Sequence, residues 1–384
     1  MKIGIDISQA VHGTGASNYI LELVKNLAKI DKKNEYILFG ASLRAISRFN
    51  KLKDDLKSNQ NFQFKIVPIP PTILEILFNR FRFPNIEKFI GQVDVFHSSD
   101  WTQPKLKSKS TKKVTTVHDL VAYLFPSSVH QKIISTQKRR LNLVKKEIDA
   151  IIVDSATTKE DVIKFLEINR QKISVIPLAA SGIFKPQEDT KINDVIAKYK
   201  IKKPYILSVG TQEPRKNIQK LLDVFGQIVS ANPQFHLVLT GKYGWGPDLP
   251  AAKQGFHSPE KVIWTGYVPQ EDLPVLYAGS RVFVYPSLYE GFGLPVLEAM
   301  ACGTPVITSN NSSMAEIAKD AAILVDPRSE GQLTKAIELV LSLSLENYQK
   351  MVRASLDRAR QYSWTKTAKE TLKVYEEVAK EVSS

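Results

Sequence analysis

The sequence predicts an α/β chain made of two open, parallel-sheet domains that face each other across a cleft. Three observations carry this expectation. Short apolar runs alternate with amphipathic segments through the first 176 residues, the alternation starts again after an irregular stretch, and glycines and charged residues stand just beyond several apolar runs. Alternating strands and helices give parallel sheets with right-handed crossovers. In such sheets ligands bind beyond the carboxyl ends of the strands.

In the first series the candidate strands are 2–7, 36–39, 62–69, 93–97, 113–116 and 150–153. Segment 18–30 places Ile20, Leu23, Val24 and Leu27 on one face, the spacing of a helix lying on a sheet. Ile173-Ser174-Val175-Ile176-Pro177-Leu178 reads as a domain boundary, followed by irregular sequence through Phe184-Lys185-Pro186. The second series has candidate strands at 205–209, 235–239, 262–264, 282–285, 305–308 and 322–325. A last amphipathic helix is expected at 364–382, with Ala368, Leu372, Val374, Tyr375 and Val378. This places one Rossmann-like domain at 1–176 and a second at 177–363.

The charge is uneven. The net +14 comes almost wholly from residues 1–176, which hold 29 Lys and Arg against 17 Asp and Glu. It is densest at Lys105, Lys107, Lys109, Lys112 and Lys113, and at Lys132, Lys138, Arg139, Arg140, Lys145 and Lys146. An anionic partner, above all a lipid headgroup surface, suits such a face, and a plain solvated surface is the alternative. There is no helix-turn-helix or RNA-binding signature, so no nucleic acid is expected. No run reaches the roughly 18–20 apolar residues of a membrane helix. The N-terminus reads as a strand without the apolar core of a signal peptide. Cys302 is the only cysteine and is expected to pack as a small apolar group near the start of a helix. A cytoplasmic protein, peripheral at the inner membrane face, is expected.

The chemistry-bearing residues stand at strand ends. Gly13 and Gly15 follow the first candidate strand, His118 and Asp119 the fifth, Gly210, Arg215 and Lys216 the first strand of the second domain, Gly241 the next, and Glu290 the run ending at Tyr285. In Glu290-Gly291-Phe292-Gly293-Leu294-Pro295-Val296-Leu297-Glu298 two acids bracket a glycine-rich turn that opens a helix. Carboxylates hold hydroxyl pairs, while backbone N–H groups at such a turn face negative oxygens. With two adjacent cations nearby in the same domain, this is the chemistry of a nucleotide-sugar site. No Asp-x-Asp and no His/Cys cluster suggests a metal; Asp54-Asp55 reads as solvated surface, and no cofactor is expected. His12, His97 and His130 are read as structural.

The Glu290–Glu298 segment, Gly210-Thr211-Gln212-Glu213-Pro214-Arg215-Lys216-Asn217, Thr265-Gly266-Tyr267-Val268 and Val117-His118-Asp119-Leu120 resemble glycosyltransferase family 4, retaining enzymes of the GT-B fold. The resemblance covers nearly the whole chain and extends to a Ser363-Trp364 helix that in such enzymes returns to the N-terminal domain. It implies that Arg215 and Lys216 hold a donor diphosphate, Glu298 the ribose, and Glu290 the transferred hexose, by its hydroxyl or by charge at the anomeric carbon. Gly291, Phe292, Gly293 and Leu294 would present backbone amides to the donor, and Gly13 and Gly15 would let the first loop approach it. His118 would hydrogen-bond the sugar, Asp119 would serve the acceptor side, and Tyr267 and Val268 would lie against the base. The family often has arginine directly after the glycine where Thr211 stands here, so Arg215 would supply that charge.

Within the family these forms are similar to polysaccharide mannosyltransferases, implying GDP-mannose as donor and a lipid-linked glycan as acceptor. The alternatives are a UDP-sugar transferase with a soluble acceptor, a sugar-nucleotide epimerase of the same fold, and a non-catalytic nucleic-acid-binding protein.

Overall fold

The computed structural model describes residues 1–11, 13, 15–244 and 259–380. It divides into two compact units. One comprises Met1–Pro126, His130–Leu178 and the residues from Ser363; the other comprises Ser127–Val129 and Ala179–Tyr362.

The first unit holds a seven-stranded sheet. Its strands are β1 (Lys2–Asp6), β2 (Glu35–Ala41), β3 (Phe62–Val67), β4 (Val95–Ser98), β5 (Lys112–Val117), β6 (Ala150–Val153) and β7 (Ile173–Val175). They lie in the order β3-β2-β1-β4-β5-β6-β7, all parallel. β7 falls where the sequence suggested a boundary: Ile173 is buried and pairs with Ile151, so the run closes the sheet before Pro177 ends it. The second sheet has six strands: β8 (Tyr205–Val209), β9 (His236–Thr240), β10 (Val262–Gly266), β11 (Val282–Tyr285), β12 (Val306–Ser309) and β13 (Ile323–Val325). Their order is β10-β9-β8-β11-β12-β13, again all parallel.

Helices cover the sheets, so the central strands read as continuous Val, Ile, Leu and Phe runs rather than alternating ones. In the second unit Ile206, Leu237, Val284 and Ile307 pack against Leu221, Phe225, Ile228 and Ile337 of the neighbouring helices. Each such side chain contributes about 1.5–3 kcal/mol when fully buried. The helix Gly15–Ile30 buries Ile20, Leu23, Val24 and Leu27, the face its spacing predicts. The helix Trp364–Lys380 buries Trp364, Ala368, Val374, Tyr375 and Val378 and packs on Gly15–Ile30 within the first unit.

Two surface expectations need correction. Arg140 is 1% exposed; its guanidinium donates to Thr115 Oγ1 at 2.7 Å and to the Thr116 carbonyl at 2.9 Å, so it braces β5 rather than joining a basic face. Lys113 pairs with Glu147, Arg139 with Glu75 and Lys145 with Glu167, so part of the counted charge is already compensated. Cys302 sits at the end of the helix Leu294–Ala301, not near the start of one. Gly303, at φ +77, follows it and stops the helix.

Candidate functional site

Both sheets reverse their strand order once, between β1 and β4 and between β8 and β11. Such a switch point leaves a crevice at the carboxyl ends of the two strands. The site residues gather at these two places.

In the second unit β8 runs into the turn holding Arg215 and Lys216, and β11 runs into the loop holding Glu290. Because β8 and β11 are neighbours, residues 74 positions apart meet: Lys216 Nζ lies 2.6 Å from Glu290 Oε1. Arg215 Nη1 lies 2.8 Å from the same oxygen. Tyr285 Oη and Ser287 Oγ donate to it as well, at 2.9 and 2.6 Å. Four donors therefore converge on Glu290 Oε1. Arg215 also pairs with Glu213 and donates to the Tyr289 carbonyl, while Lys216 reaches the Tyr285 hydroxyl at 2.5 Å.

Burial alone would raise the Glu290 carboxyl. The Arg215 and Lys216 charges, with hydrogen bonds from Lys216 and Ser287, instead bring it down to about 2. Glu290 is thus an ionised carboxylate at neutral pH. Arg215 is driven higher still, burial working against it and Glu290 and Glu213 raising it. Burial lowers the Lys216 ammonium, with Glu290 opposing.

Glu298 differs from its partner. It sits in the helix Leu294–Ala301, 9% exposed, and burial pushes its carboxyl up to about 7 against the hydrogen bond from Tyr277 Oη at 3.1 Å. Gly293 precedes this helix at φ +98, a backbone conformation that glycine adopts without strain. Gly291 and Phe292 are buried, and the Phe292 ring meets Tyr362 edge-on.

Gly210 and Gly241 end β8 and β9 in close apposition. A Cβ on Gly241 would lie 2.0 Å from the Gly210 carbonyl oxygen. Thr211 is exposed beside them. Beyond β10, Val268 is buried and Tyr267 is 62% exposed, with Lys242 Nζ 4.9 Å from the centre of its ring.

The first unit has a pocket at its own switch point, lined by Asp6 of β1, His97 of β4, Asp100, Thr116, Tyr19 and His118 among others. Gly15 opens the helix that supplies Tyr19, and Gly13 stands exposed before it; His12 and Thr14 lie outside the described residues. His118 Nδ1 is 2.7 Å from Asp154 Oδ2, so its carboxylate partner is Asp154 and not the adjacent Asp119. Asp119 Oδ1 instead accepts from the Val121 N–H at 3.0 Å. His97 is fully structural: Nδ1 meets Tyr375 Oη at 2.6 Å, Nε2 meets Thr116 Oγ1 at 2.9 Å, and burial with the nearby His118 and Arg140 charges holds it down to about 3. His130 caps the helix Gln131–Glu147.

Sequence reasoning missed Tyr277, Tyr285, Ser287 and Asp154. Tyr285 was hidden inside an apolar run. Asp154 stands one residue past a predicted strand, and that position was the available signal. Among the described residues no group of three His, Cys, Asp or Glu could hold a metal ion.

The sequence matches the family described as Glycosyltransferase Family 4 over residues 13–180 and that described as Glycosyl transferases group 1 over residues 189–358. It is 30% identical to O-antigen chain mannosyltransferase B of Escherichia coli, over 94% of this chain and 96% of that one. Among solved structures it resembles sucrose-phosphate synthase from Thermosynechococcus elongatus, with a TM-score of 0.73, 20% identity and 98% of each chain covered. It also resembles Anabaena HepE in complex with UDP and glucose, with a TM-score of 0.70, 15% identity, and 97% of this chain and 98% of that one covered. The two parallel sheets and these neighbours show the GT-B fold, and the family matches with the Escherichia coli relative make the chain a glycosyltransferase. The chain belongs to glycosyltransferase family 4.

Proposed function

We propose that this glycosyltransferase moves mannose from GDP-mannose to a growing glycan on a lipid diphosphate, retaining the anomeric configuration, in surface polysaccharide synthesis. The observation that carries the proposal is the convergence of Arg215, Lys216, Tyr285 and Ser287 on Glu290 at the β8–β11 switch point. Support for mannose comes from the relative named above.

In this reading Arg215 and Lys216 receive the donor diphosphate, where negative charge grows as the bond to the anomeric carbon breaks. Glu290, already ionised, has no proton to give; its charge stabilises the positive anomeric carbon. The departing phosphate takes the proton of the acceptor hydroxyl, which attacks from the same face. Glu298 accepts from the ribose hydroxyls. The backbone of Gly291, Phe292, Gly293 and Leu294 faces the donor oxygens. Gly13 and Gly15 give the first loop access to the donor, Gly210 and Gly241 keep the phosphate loop narrow, and Tyr267 and Val268 lie at the base. His118 meets the sugar and Asp119 serves the acceptor side. No cofactor enters the scheme.

Thermal unfolding with GDP, UDP and ADP, each alone and as sugar conjugates, tests the site. A ligand at 100 times its Kd adds about 2.7 kcal/mol. A GDP-selective rise in Tm that disappears in Lys216→Ala is expected. A UDP-selective rise would replace the donor, and no rise with any nucleotide would remove the site.

The same proposal places the first unit against an anionic membrane surface. No helix among the described residues is long and apolar enough to cross a membrane. Support comes from the segment running through the helices Pro71–Glu75 and Ile76–Phe81, where Ile73, Ile76, Phe81 and Phe83 are exposed beside exposed Arg80 and Lys88. Lys105, Lys107 and Lys109 are exposed as well. An apolar stripe with basic flanks suits an interfacial element, each engaged Lys or Arg contributing about 1 kcal/mol. The protein is expected to pellet with phosphatidylglycerol vesicles at low salt. Neutralising Lys105, Lys107 and Lys109 together with Phe81→Ser and Phe83→Ser should abolish pelleting, and unchanged pelleting would remove the membrane from the scheme.

A further inference from the structure

We propose that Asp154 is a positioning residue for transfer: its carboxylate fixes the His118 ring through Nδ1 and so presents Nε2 to the bound sugar. The inference rests on the reading above that His118 meets the donor sugar.

Asp154 follows β6 and is 2% exposed. Its Oδ2 takes the His118 bond at 2.7 Å, and its Oδ1 has no partner among the described residues. A carboxylate removed from water needs compensation, and the imidazole is what supplies it. The ring is also held from the side. Tyr19 packs against it edge-on at 4.7 Å, and Tyr19 Oη is tied to Thr116 Oγ1 at 2.8 Å. Rotating His118 would break the Asp154 bond and disturb the Tyr19 packing, so the structure leaves Nε2 as the nitrogen able to meet a ligand.

The groups that face His118 come from several elements. They are Tyr19 of the helix Gly15–Ile30, His97 of β4, Asp100 after β4, Asp119 beside it, and Asp154 after β6. Burial alone would lower the imidazole. The Asp154 charge and hydrogen bond, then Asp100 and Asp119, raise it to about 9. At neutral pH both ring nitrogens therefore carry protons, and Nε2 donates to an oxygen of the sugar. His97, lining the same pocket without a carboxylate partner, stays neutral. The two histidines show what Asp154 does: one is a fixed cation and the other a neutral link in the core.

The test uses the full chain with isotopically labelled histidine, the His118 resonance being assigned by its loss in His118→Gln. In the wild type it is expected to titrate near pH 9. In Asp154→Asn it should fall to or below the ordinary value of about 6.5. With the nucleotide sugar that raises Tm most, Asp154→Asn should lower kcat about 10–100-fold, as misoriented groups do, while KM changes little. Its kcat/KM should fall off at a lower pH than that of the wild type, and Asp154→Glu should restore part of both. A wild-type His118 titrating near 6.5 overturns the proposal without any variant. So does impaired His118→Gln beside normal Asp154→Asn, which spares the reading of His118. If His118→Gln itself transfers normally, the reading of His118 falls as well.

Discussion

Glu290→Gln is expected to lower transfer by about 10²–10³-fold, the scale set by removing one preorganised charge from a transition state. The same change should lower stability by about 3–5 kcal/mol, because a buried charge cluster then loses the carboxylate on which Arg215 and Lys216 converge. Arg215 and Lys216 both point at Glu290 Oε1, and both are largely buried. An amide keeps the shape and two hydrogen-bonding groups but cannot offset two cations. Activity assays with the preferred donor, run beside urea unfolding, read the two effects separately.

Acid titration adds a signature. The Glu290 carboxyl lies at about 2 in the folded chain against an ordinary value of 4.5. A group depressed in this way contributes stability that is complete above its unfolded value and lost as pH falls through the folded one. The wild type should therefore lose on the order of 3 kcal/mol between about pH 4.5 and 2 through this residue. That component should vanish in Glu290→Gln. Wild-type activity and an unchanged acid limb in the variant would take Glu290 out of both the chemistry and the charge cluster.

Gly241→Ala is expected to cost about 3–5 kcal/mol and to weaken nucleotide binding at least tenfold, the range of the most damaging single substitutions. The reason is backbone against backbone. Gly241 has φ +139, and its Cβ would lie 2.0 Å from the Gly210 oxygen and 2.6 Å from the Gly210 carbonyl carbon. No rotamer change relieves such a contact. The turns after β8 and β9 would have to separate, and the first of them leads directly to Arg215 and Lys216. Gly266→Ala is the control: its φ is +69, but a Cβ there meets nothing within 4 Å. It should lose only about 1 kcal/mol through backbone strain. Equal melting temperatures for the two variants would show that the approach of β8 to β9 does not constrain the site.

What could be read from the chain and what could not follows from distance along it. The strand ends at Val209 and Tyr285 were visible because buried parallel strands are unbroken apolar runs, and the glycines after them mark turns. Arg215, Lys216, Glu290 and Glu298 were therefore found as separate clusters. Their ion-pair network was not, because it depends on β8 and β11 being neighbours although β9 and β10 lie between them in sequence. Sheet order is a tertiary fact with no local signature. For the same reason the pairing of His118 with Asp154 went unread: the two stand 36 positions apart, and only the register of β5 against β6 brings them together. Arg140 was misread because it stands in a lysine-rich helix, and only the packing of that helix on β5 shows which of its basic residues points inward. β7 was too short to declare itself beside Pro177, and only its pairing with β6 makes it a strand.

The helix Trp364–Lys380 has a consequence for the order in which this protein can fold. His97 and Tyr375 share a hydrogen bond across 278 positions, and the helix between Trp364 and Lys380 covers the helix Gly15–Ile30. During synthesis that covering helix leaves the ribosome only after the entire second unit has been made. The second sheet can therefore be assembled while the first unit still exposes Tyr19, Asn26 and the polar edge of His97, the groups that Trp364, Thr365 and Tyr375 later cover. The first unit is therefore completed only after the second has been made, and it stays uncovered at these positions for the whole interval.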